Sequence, residues 1–269
     1  MTATPLAPTA RTAVLDPTTR RVPPFGGFSA TVLGIELRRM LRNRRTIIFT
    51  LVLPAALFLS FGSTSGWDQP AGHGNVAAYI MVSMALYGAA LTAAAGGAMV
   101  AIERATGWSR QLRLTPLRPA VYIGMKALLA LVLGGVAIVV VNVVGLVQGK
   151  PFMPAEVWVE CAVLTLLCTM VFAALGLFVG YLVPGENAMQ ILGPGLALFS
   201  FLGNVFIPLT PGSVVYRIAE WTPMFGVAEI SRWPLTDQLA WTAVLNAVVW
   251  LGLFIAGAAW RMSRDTARV

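Results

Sequence analysis

Six long apolar stretches divide this chain, and polar segments of differing character separate them. The stretches cover residues 46–62, 76–102, 121–147, 157–183, 188–208 and 239–260. A helix needs roughly 20 apolar residues to cross the hydrocarbon core of a bilayer, with a range of about 17 to 25. Each stretch meets this requirement, the longer ones by tilting. The pattern therefore predicts an all-α, polytopic membrane protein with six transmembrane helices.

The composition supports this class. Of the 269 residues, 57% are hydrophobic and 11% are charged, and the mean hydropathy is +0.77. An ordinary soluble domain carries roughly 25% charged residues, so this chain lacks the surface that water requires. We expect lipid as its surroundings, in the cell membrane. The net charge of +8 does not indicate nucleic-acid binding, because the arginines flank apolar runs.

The ends of the chain differ from its middle. Residues 1–28 are rich in Pro, Thr, Ala and Arg without an apolar period, which is typical of a disordered tail. We assign residues 29–262 to the transmembrane domain and 263–269 to a second tail. The side of the membrane whose loops and tails carry more Lys and Arg is expected to be the cytoplasmic side. Sixteen lie on the side of both termini and the 103–120 loop, and three on the other, so the first side is predicted to be cytoplasmic.

Residues 29–45 are predicted to form an amphipathic helix along the membrane surface. Its apolar residues share one arc, whereas Arg38, Arg39 and Arg42 lie on the other side. Such a helix buries its apolar face at the headgroup boundary while its guanidinium groups meet anionic phosphates. An ordinary positive flank of the first span fits the same residues.

Two segments between spans carry further signals. In residues 103–119, Trp108 and Leu112 share a helical face while Arg110 and Arg113 project from the other. This segment is a docking element for a soluble partner or a plain connector. Residues 209–237 are predicted to form a broken, partly re-entrant cap, with a floppy external loop as the alternative. Two ion pairs at i,i+3 spacing are predicted there, Arg217–Glu220 and Glu229–Arg232.

The spans hold almost no ionisable residue at mid-depth, which argues against an ion-coupled carrier. Lys126 lies just inside the third span and is expected to snorkel to the cytoplasmic side. The only histidine, His73, lies in a loop, so we expect no histidine-based metal or catalytic site. The chain has no phosphate-binding loop, so we expect no cofactor in it. Cys161 and Cys168 are expected to be reduced, and the Gly176–Gly180 pair to mediate packing within the chain.

Helix-breaking residues occur in two spans. Pro54 lies in the first span, and the fifth contains Gly193, Pro194 and Gly195. Such residues free backbone groups that lipid cannot satisfy. Both helices are therefore expected to bend where they face protein or a water-filled path.

The chain resembles the permease subunits of ABC-2 type transporters over residues 29–262. The resemblance rests on two markers, a cytoplasmic ER…G…L…TPL segment followed by a Lys, and an outer GNVFIP segment followed by WTP. The residues that fit are Glu103, Arg104, Gly107, Leu112, Thr115, Pro116, Leu117, Lys126, 203–208 and 221–223. Ala105 stands where the family usually has a second acidic residue, so a signalling role of that acid does not carry over.

The resemblance implies a half-transporter that works with a separate ATPase subunit, which would bind ATP and Mg²⁺, and with a second permease chain, identical or different. It implies contacts with that ATPase by residues 29–45 and 103–118. The coupling residues expected there are Glu103, Arg104, Gly107, Trp108, Arg110, Leu112 and Arg113. It also implies that the second and fifth spans line the substrate path, where Gly193, Pro194 and Gly195 would lie.

The implied function is ATP-driven export of a drug-like apolar or amphipathic compound, as in daunorubicin-resistance systems. Polysaccharide and lipid exporters share this fold, and a fold does not determine the cargo. A non-transporting membrane anchor or sensor subunit, a passive channel or ion-coupled carrier, and a membrane enzyme remain as alternatives.

Overall fold

A computed structural model describes residues 28–42, 48–61, 66–107, 119–185 and 187–266. These segments are almost entirely helical. In chain order they form α1 (Ala30–Arg42), a π-helical turn (Ile48–Val52), α2 (Leu53–Phe61), β1 (Pro70–Ala71), β2 (Gly74–Asn75), α3 (Val76–Ala105), α4 (Pro119–Gln148), α5 (Ala155–Leu182), α6 (Asn187–Leu202), α7 (Val214–Ala219), α8 (Pro223–Thr236) and α9 (Trp241–Thr266). The first terminal tail was predicted over residues 1–28, and all of it except Phe28 lies outside the described residues. Residues 263–266, predicted as the start of the second tail, continue α9 instead.

Helix α3 is the centre of the bundle. In its most apolar stretch 83% of the residues are buried, against 22% in α9. Helices α2, α4, α5, α6 and α8 all pack on it. Eleven of its 30 residues are alanine and three are glycine. Small side chains let neighbouring backbones approach from several directions, because each contact needs little room.

The closest approach in the bundle is between α3 and α5. A Cβ atom at Gly176 would lie 2.1 Å from the carbonyl oxygen of Ala94, and one at Gly97 would lie 2.6 Å from that of Ala173. One turn beyond Gly176, a Cβ atom at Gly180 would lie 3.2 Å from the Cα atom of Ala98. The two glycines of α5 therefore serve packing within the chain, as their spacing predicts.

Four of the described helices are long and apolar enough to cross a membrane. They cover Val76–Ala105, Val121–Gln148, Ala155–Leu182 and Trp241–Arg264. Helices α4 and α9 expose rows of large apolar side chains, including Val139, Val143, Val248 and Leu253. Apolar surface of this extent needs a lipid or protein partner. The chain is a multi-pass membrane protein.

The first and fifth predicted spans are shorter in the structure. Helix α6 has 16 residues and ends at Leu202, before the predicted end at residue 208. At 1.5 Å per residue it is about 24 Å long, less than the roughly 30 Å hydrocarbon core. The first span is described over 48–61, where the π-helical turn precedes α2. Pro54 is buried in α2. A Cβ atom placed on Gly88 of α3 would lie only 2.9 Å from the Pro54 ring, so the glycine gives the ring its space.

The segment 209–237 is structured rather than floppy. It contains α7 and α8, and α8 packs on α3, α5, α6 and α9 through buried residues that include Met224, Val227 and Leu235. Strands β1 and β2 form a small antiparallel hairpin, the only β structure among the described residues. Within this hairpin the His73 amide donates to the carbonyl of Leu235. The bundle thus has an α8 side, which holds α7, α8 and the hairpin, and an opposite α1 side.

We expect Gly176→Val to destabilise the bundle strongly, because the new side chain would overlap the backbone of α3 at Ala94. Overpacking a tight contact costs about 1–3 kcal/mol or more. Thermal unfolding in detergent, followed by circular dichroism, would measure the loss. Gly252→Val is the matched control, since no atom lies within 4 Å of a Cβ at that position. Equal melting temperatures for the two variants would refute this account of the α3–α5 contact.

Candidate functional site

The predicted coupling segment begins at the last turn of α3. Glu103 and Arg104 belong to this turn, and Gly107 follows it. The remaining predicted coupling residues, Trp108, Arg110, Leu112 and Arg113, lie outside the described residues. The structure therefore describes the point at which this segment leaves the helical bundle.

Glu103 is the centre of a buried polar network. Its side chain is 2% exposed and accepts a hydrogen bond from Lys126 Nζ on α4, at 2.5 Å. The Tyr122 hydroxyl, one turn earlier on α4, donates to the other carboxylate oxygen of Glu103. Lys126 is itself 4% exposed. The expectation that Lys126 snorkels to the surface was wrong, because a carboxylate partner inside the bundle holds its ammonium group.

Helix α1 joins the same network. Glu36 Oε2 accepts a hydrogen bond from Lys126 Nζ at 2.9 Å, and its side chain is 16% exposed. Leu33, Leu37 and Met40 are half-buried on the same face of α1, whereas the predicted basic face is exposed. The apolar face of α1 therefore lies at least partly against the bundle. We call Glu36, Glu103, Tyr122 and Lys126 the Lys126 network; it connects α1, α3 and α4.

Arg104 links the end of α3 to the end of α5. Its guanidinium group donates to the carbonyl oxygens of Gly180 and Tyr181, each at 3.2 Å, and lies 5.5 Å from the centre of the Tyr181 ring. Arg261 of α9 donates to the next carbonyl, that of Leu182, at 3.5 Å. The last carbonyl groups of a helix have no partner within the helix. These arginines satisfy them and also favour the negative end of the α5 dipole.

Gly107 has a backbone role. It follows the C-cap residue Thr106 with φ of 75°, and its amide donates to the carbonyl of Arg104. A residue in this left-handed conformation commonly ends a helix, and glycine adopts it without steric cost. No atom lies within 4 Å of a Cβ placed there. Gly107 thus ends α3 and turns the chain into the coupling segment.

A second buried cation lies on the α8 side. Arg232 of α8 is 1% exposed and donates to Glu229 at 2.8 Å, to the carbonyl of Asn204 at 2.7 Å and to Ser83 of α3 at 3.2 Å. Its guanidinium group also lies 4.5 Å from the centre of the Tyr79 ring. The predicted Glu229–Arg232 pair therefore forms, and it is part of a larger cluster. The other predicted ion pair, Arg217–Glu220 at the end of α7, is not among those found in the described residues.

Asn204 determines how the chain turns after α6. Its φ is 61°, an unusual value that asparagine tolerates better than most residues. Its side chain accepts a hydrogen bond from the Leu209 amide at 2.8 Å. Phe206, two residues on, packs edge-on against Tyr87 of α3 and Phe201 of α6, each with ring centres 4.8 Å apart. The GNVFIP segment is thus a fixed turn packed against α3.

The predicted path residues Gly193, Pro194 and Gly195 lie together on α6. Pro194 is exposed, and no atom lies within 4 Å of a Cβ at either glycine. This part of α6 faces away from the protomer and does not reach the Lys126 network. Its role in a substrate path stays a prediction.

A cavity of about 710 Å³ lies on the α8 side, between α5, the hairpin and the end of α8. His73, Glu156, Glu160, Trp233 and Asp237 contribute its polar and aromatic lining. The described part of the chain contains no group of three or more His, Cys, Asp or Glu side chains placed to hold a metal ion. Cys161 and Cys168 are buried free thiols.

Reasoning from the sequence missed the partners of Lys126, Glu36 and Arg232. A signal was present for Lys126, because a lysine within a long apolar run is costly unless a counter-charge is near. The Glu229–Arg232 spacing indicated the nearest partner of Arg232 but not its burial. Nothing in the sequence pattern pairs Glu36 with α4, since 90 residues separate Glu36 from Lys126.

Comparisons with known proteins agree with this architecture. The family model described as "ABC-2 type transporter" matches residues 30–236, from the start of α1 to the end of α8. A curated relative is "Putative transport permease YvfS" of Bacillus subtilis (strain 168). It is 24% identical to this chain over 226 residues, which are 82% of this chain and 91% of the relative.

The family match covers both markers seen in the sequence, the segment that begins at Glu103 and the turn at Asn204. It confirms the resemblance. Membership of this family indicates a transport subunit rather than an enzyme, and it implies an ATPase partner. The chain belongs to the ABC-2 type transporter family and is a membrane permease component of an ABC transporter.

Proposed function

We propose that this chain is the permease subunit of an exporter that moves apolar or amphipathic, drug-like compounds out of the cell. In this proposal a separate ATPase binds ATP and Mg²⁺ and docks on the α1 side, and a second permease chain completes the path. The chain crosses the cell membrane six times, with the shorter first and fifth helices included. Both termini and the 103–119 segment face the cytoplasm.

The observation that carries the proposal is the Lys126 network. The segment that would receive the ATPase leaves α3 at Gly107, one turn after Glu103. Glu103 is linked through Lys126 to α4 and α1. Arg104 extends the linkage to α5. Packed cores shift between discrete arrangements and do not deform continuously. A push on the coupling segment would therefore displace α1, α3, α4 and α5 together instead of bending α3 alone.

The cargo class is inferred from α6. Around Gly193, Pro194 and Gly195 the exposed surface is uncharged and open, with Ile191 and Leu198 on the same side of the protomer. Such a wall offers no partner to a highly charged substrate, because a charge without a partner is costly in an apolar path. A polysaccharide or lipid exporter and a non-transporting subunit are the competing functions, and transport measurements separate them from drug export.

We expect Lys126→Met to impair coupling between ATP hydrolysis and export. Removing Lys126 breaks the link between α1, α3 and α4 and leaves Glu103 buried without a cation. Residues in a coupling network change the coupling free energy by about 0.5–2 kcal/mol, or roughly 2- to 30-fold. Co-reconstituted permease and ATPase would report it as lipophilic dye exported per ATP hydrolysed.

The chain offers a matched control for this experiment. Lys150→Met removes the other lysine, which is exposed on the α8 side over the Trp67 ring, and should leave the ratio unchanged. Glu36→Gln tests the α1 link separately, since Glu36 is less buried and its loss threatens folding less. A Lys126→Met protein that folds and keeps the normal ratio would contradict the proposed coupling route.

We expect Gly195→Leu to reduce dye export while leaving the fold intact. Leucine favours a helix more than glycine does, and no atom obstructs its Cβ, so the new side chain extends into the proposed path. Gly252→Leu, equally unobstructed on α9, is the control and should export normally. If both variants export at the wild-type rate, α6 does not line the path.

The orientation is tested with single cysteines in a Cys161→Ala, Cys168→Ala background. A cysteine at Gln69, on the α8 side, should react with a membrane-impermeant maleimide added to intact cells. A cysteine at Arg264, at the end of α9, should react only after the membrane is permeabilised. The reverse pattern would invert the assignment of the cytoplasmic side.

A further inference from the structure

The exposed face of α1 carries a groove that the coupling network does not use. The groove has a volume of about 520 Å³, and its described lining is Thr31, Gly34, Ile35, Arg38, Arg39 and Arg42. These residues recur at three- and four-residue intervals, so they form one stripe along the helix. The opposite face of α1 carries Glu36, which pairs with Lys126.

The three arginines of this groove have no counter-charge in the described part of the chain. The ion pairs found there are Lys126–Glu36, Lys126–Glu103 and Arg232–Glu229. The one acidic residue of α1 is therefore already neutralised on the other face. The negative end of a helix dipole amounts to roughly half a charge. The C-terminal end of α1 therefore cannot balance the charge of three guanidinium groups. Their arrangement favours an external anion.

The apolar residues beside the arginines indicate what carries that anion. Ile35 is 63% exposed, Val32 42% and Phe28 43%, and all three precede the arginines along the chain. Gly34 adds no side chain, and no atom lies within 4 Å of a Cβ at this position, so the groove floor there is backbone. A ligand that fits has a phosphate at one end and an apolar chain at the other.

We propose that this α1 groove binds the headgroup of an anionic phospholipid. The guanidinium groups of Arg38, Arg39 and Arg42 hold the phosphate through charge-assisted hydrogen bonds. The acyl chains lie against Ile35 and Val32. A free phosphate would use the arginines alone and leave these apolar side chains in water, and that is why we assign the groove to a lipid. This binding does not depend on the proposed export function.

The test is lipid selectivity of the purified full-length chain. The protein is reconstituted in an equimolar mixture of phosphatidylglycerol and phosphatidylcholine and re-extracted in mild detergent, and native mass spectrometry counts the retained lipids. We expect the wild type to retain phosphatidylglycerol over phosphatidylcholine by roughly fivefold or more, the ratio expected for one basic residue at an anionic surface. A wild-type ratio near one would overturn the proposal.

Two variants alter the groove in different ways. Arg38→Gln with Arg39→Gln and Arg42→Gln removes its charge, and the retained ratio should fall to about one. Gly34→Leu fills its floor without changing any charge and favours the helix, and it should also lower the ratio. The control, Arg264→Gln, removes one charge from the end of α9 on the same side, away from the α5 carbonyls, and should lower the ratio far less than the triple groove variant does.

Two further outcomes would assign the face to another ligand. If the triple variant keeps its lipid ratio but no longer co-purifies with the ATPase, the arginines bind the ATPase and the proposal is wrong. If inorganic phosphate at the lipid's own concentration displaces the retained phosphatidylglycerol, the groove binds free anions. Retention that withstands phosphate and is lost in both groove variants supports the lipid site.

Discussion

Helix α3 is enclosed by protein on nearly every side, and this constraint accounts for the arrangement of the other helices. A helix packed by five neighbours cannot carry large side chains at most positions, and α3 is accordingly rich in alanine and glycine. Its neighbours meet it with glycines of their own, as α5 does at Gly176 and Gly180. In lipid there is little hydrophobic force between helices, so close backbone packing supplies much of the cohesion.

Small apolar contacts are not directional, and the ends of α3 show how the register of the bundle is fixed. At one end Glu103 accepts from Lys126 and Tyr122 of α4, and Lys126 also binds Glu36 of α1. A buried charge that loses its partner is destabilising by about 3–5 kcal/mol. Slippage of α3 against α4 by one turn would separate these groups, so the ion pairs specify the register that close packing alone leaves free.

The sequence was sufficient for the helical class and for the four long apolar helices. An apolar run of more than about 20 residues in a chain this poor in charge is long enough to span a bilayer. It was less accurate for the short helices. Residues 188–208 are apolar throughout, yet α6 ends at Leu202, because Asn204 adopts a left-handed conformation held by Leu209 and Arg232. Hydropathy does not detect such a turn. It also does not separate a lysine that snorkels to water from one that finds a carboxylate on another helix.

Two buried cations fix α3 to its neighbours near its two ends. Lys126 binds α3 at Glu103, and Arg232 binds it at Ser83. Twenty residues separate these positions, which at 1.5 Å per residue is about 30 Å, close to the thickness of the hydrocarbon core. Between them α3 makes mainly apolar contacts, which resist separation but permit small sliding movements. Helix α3 is therefore held by polar contacts near both of its ends and by small residues between them. In the proposed coupling, a displacement applied at Glu103 would reach the turn at Asn204 through Ser83 and Arg232, since the described contacts of Arg232 join Ser83 to the carbonyl of Asn204.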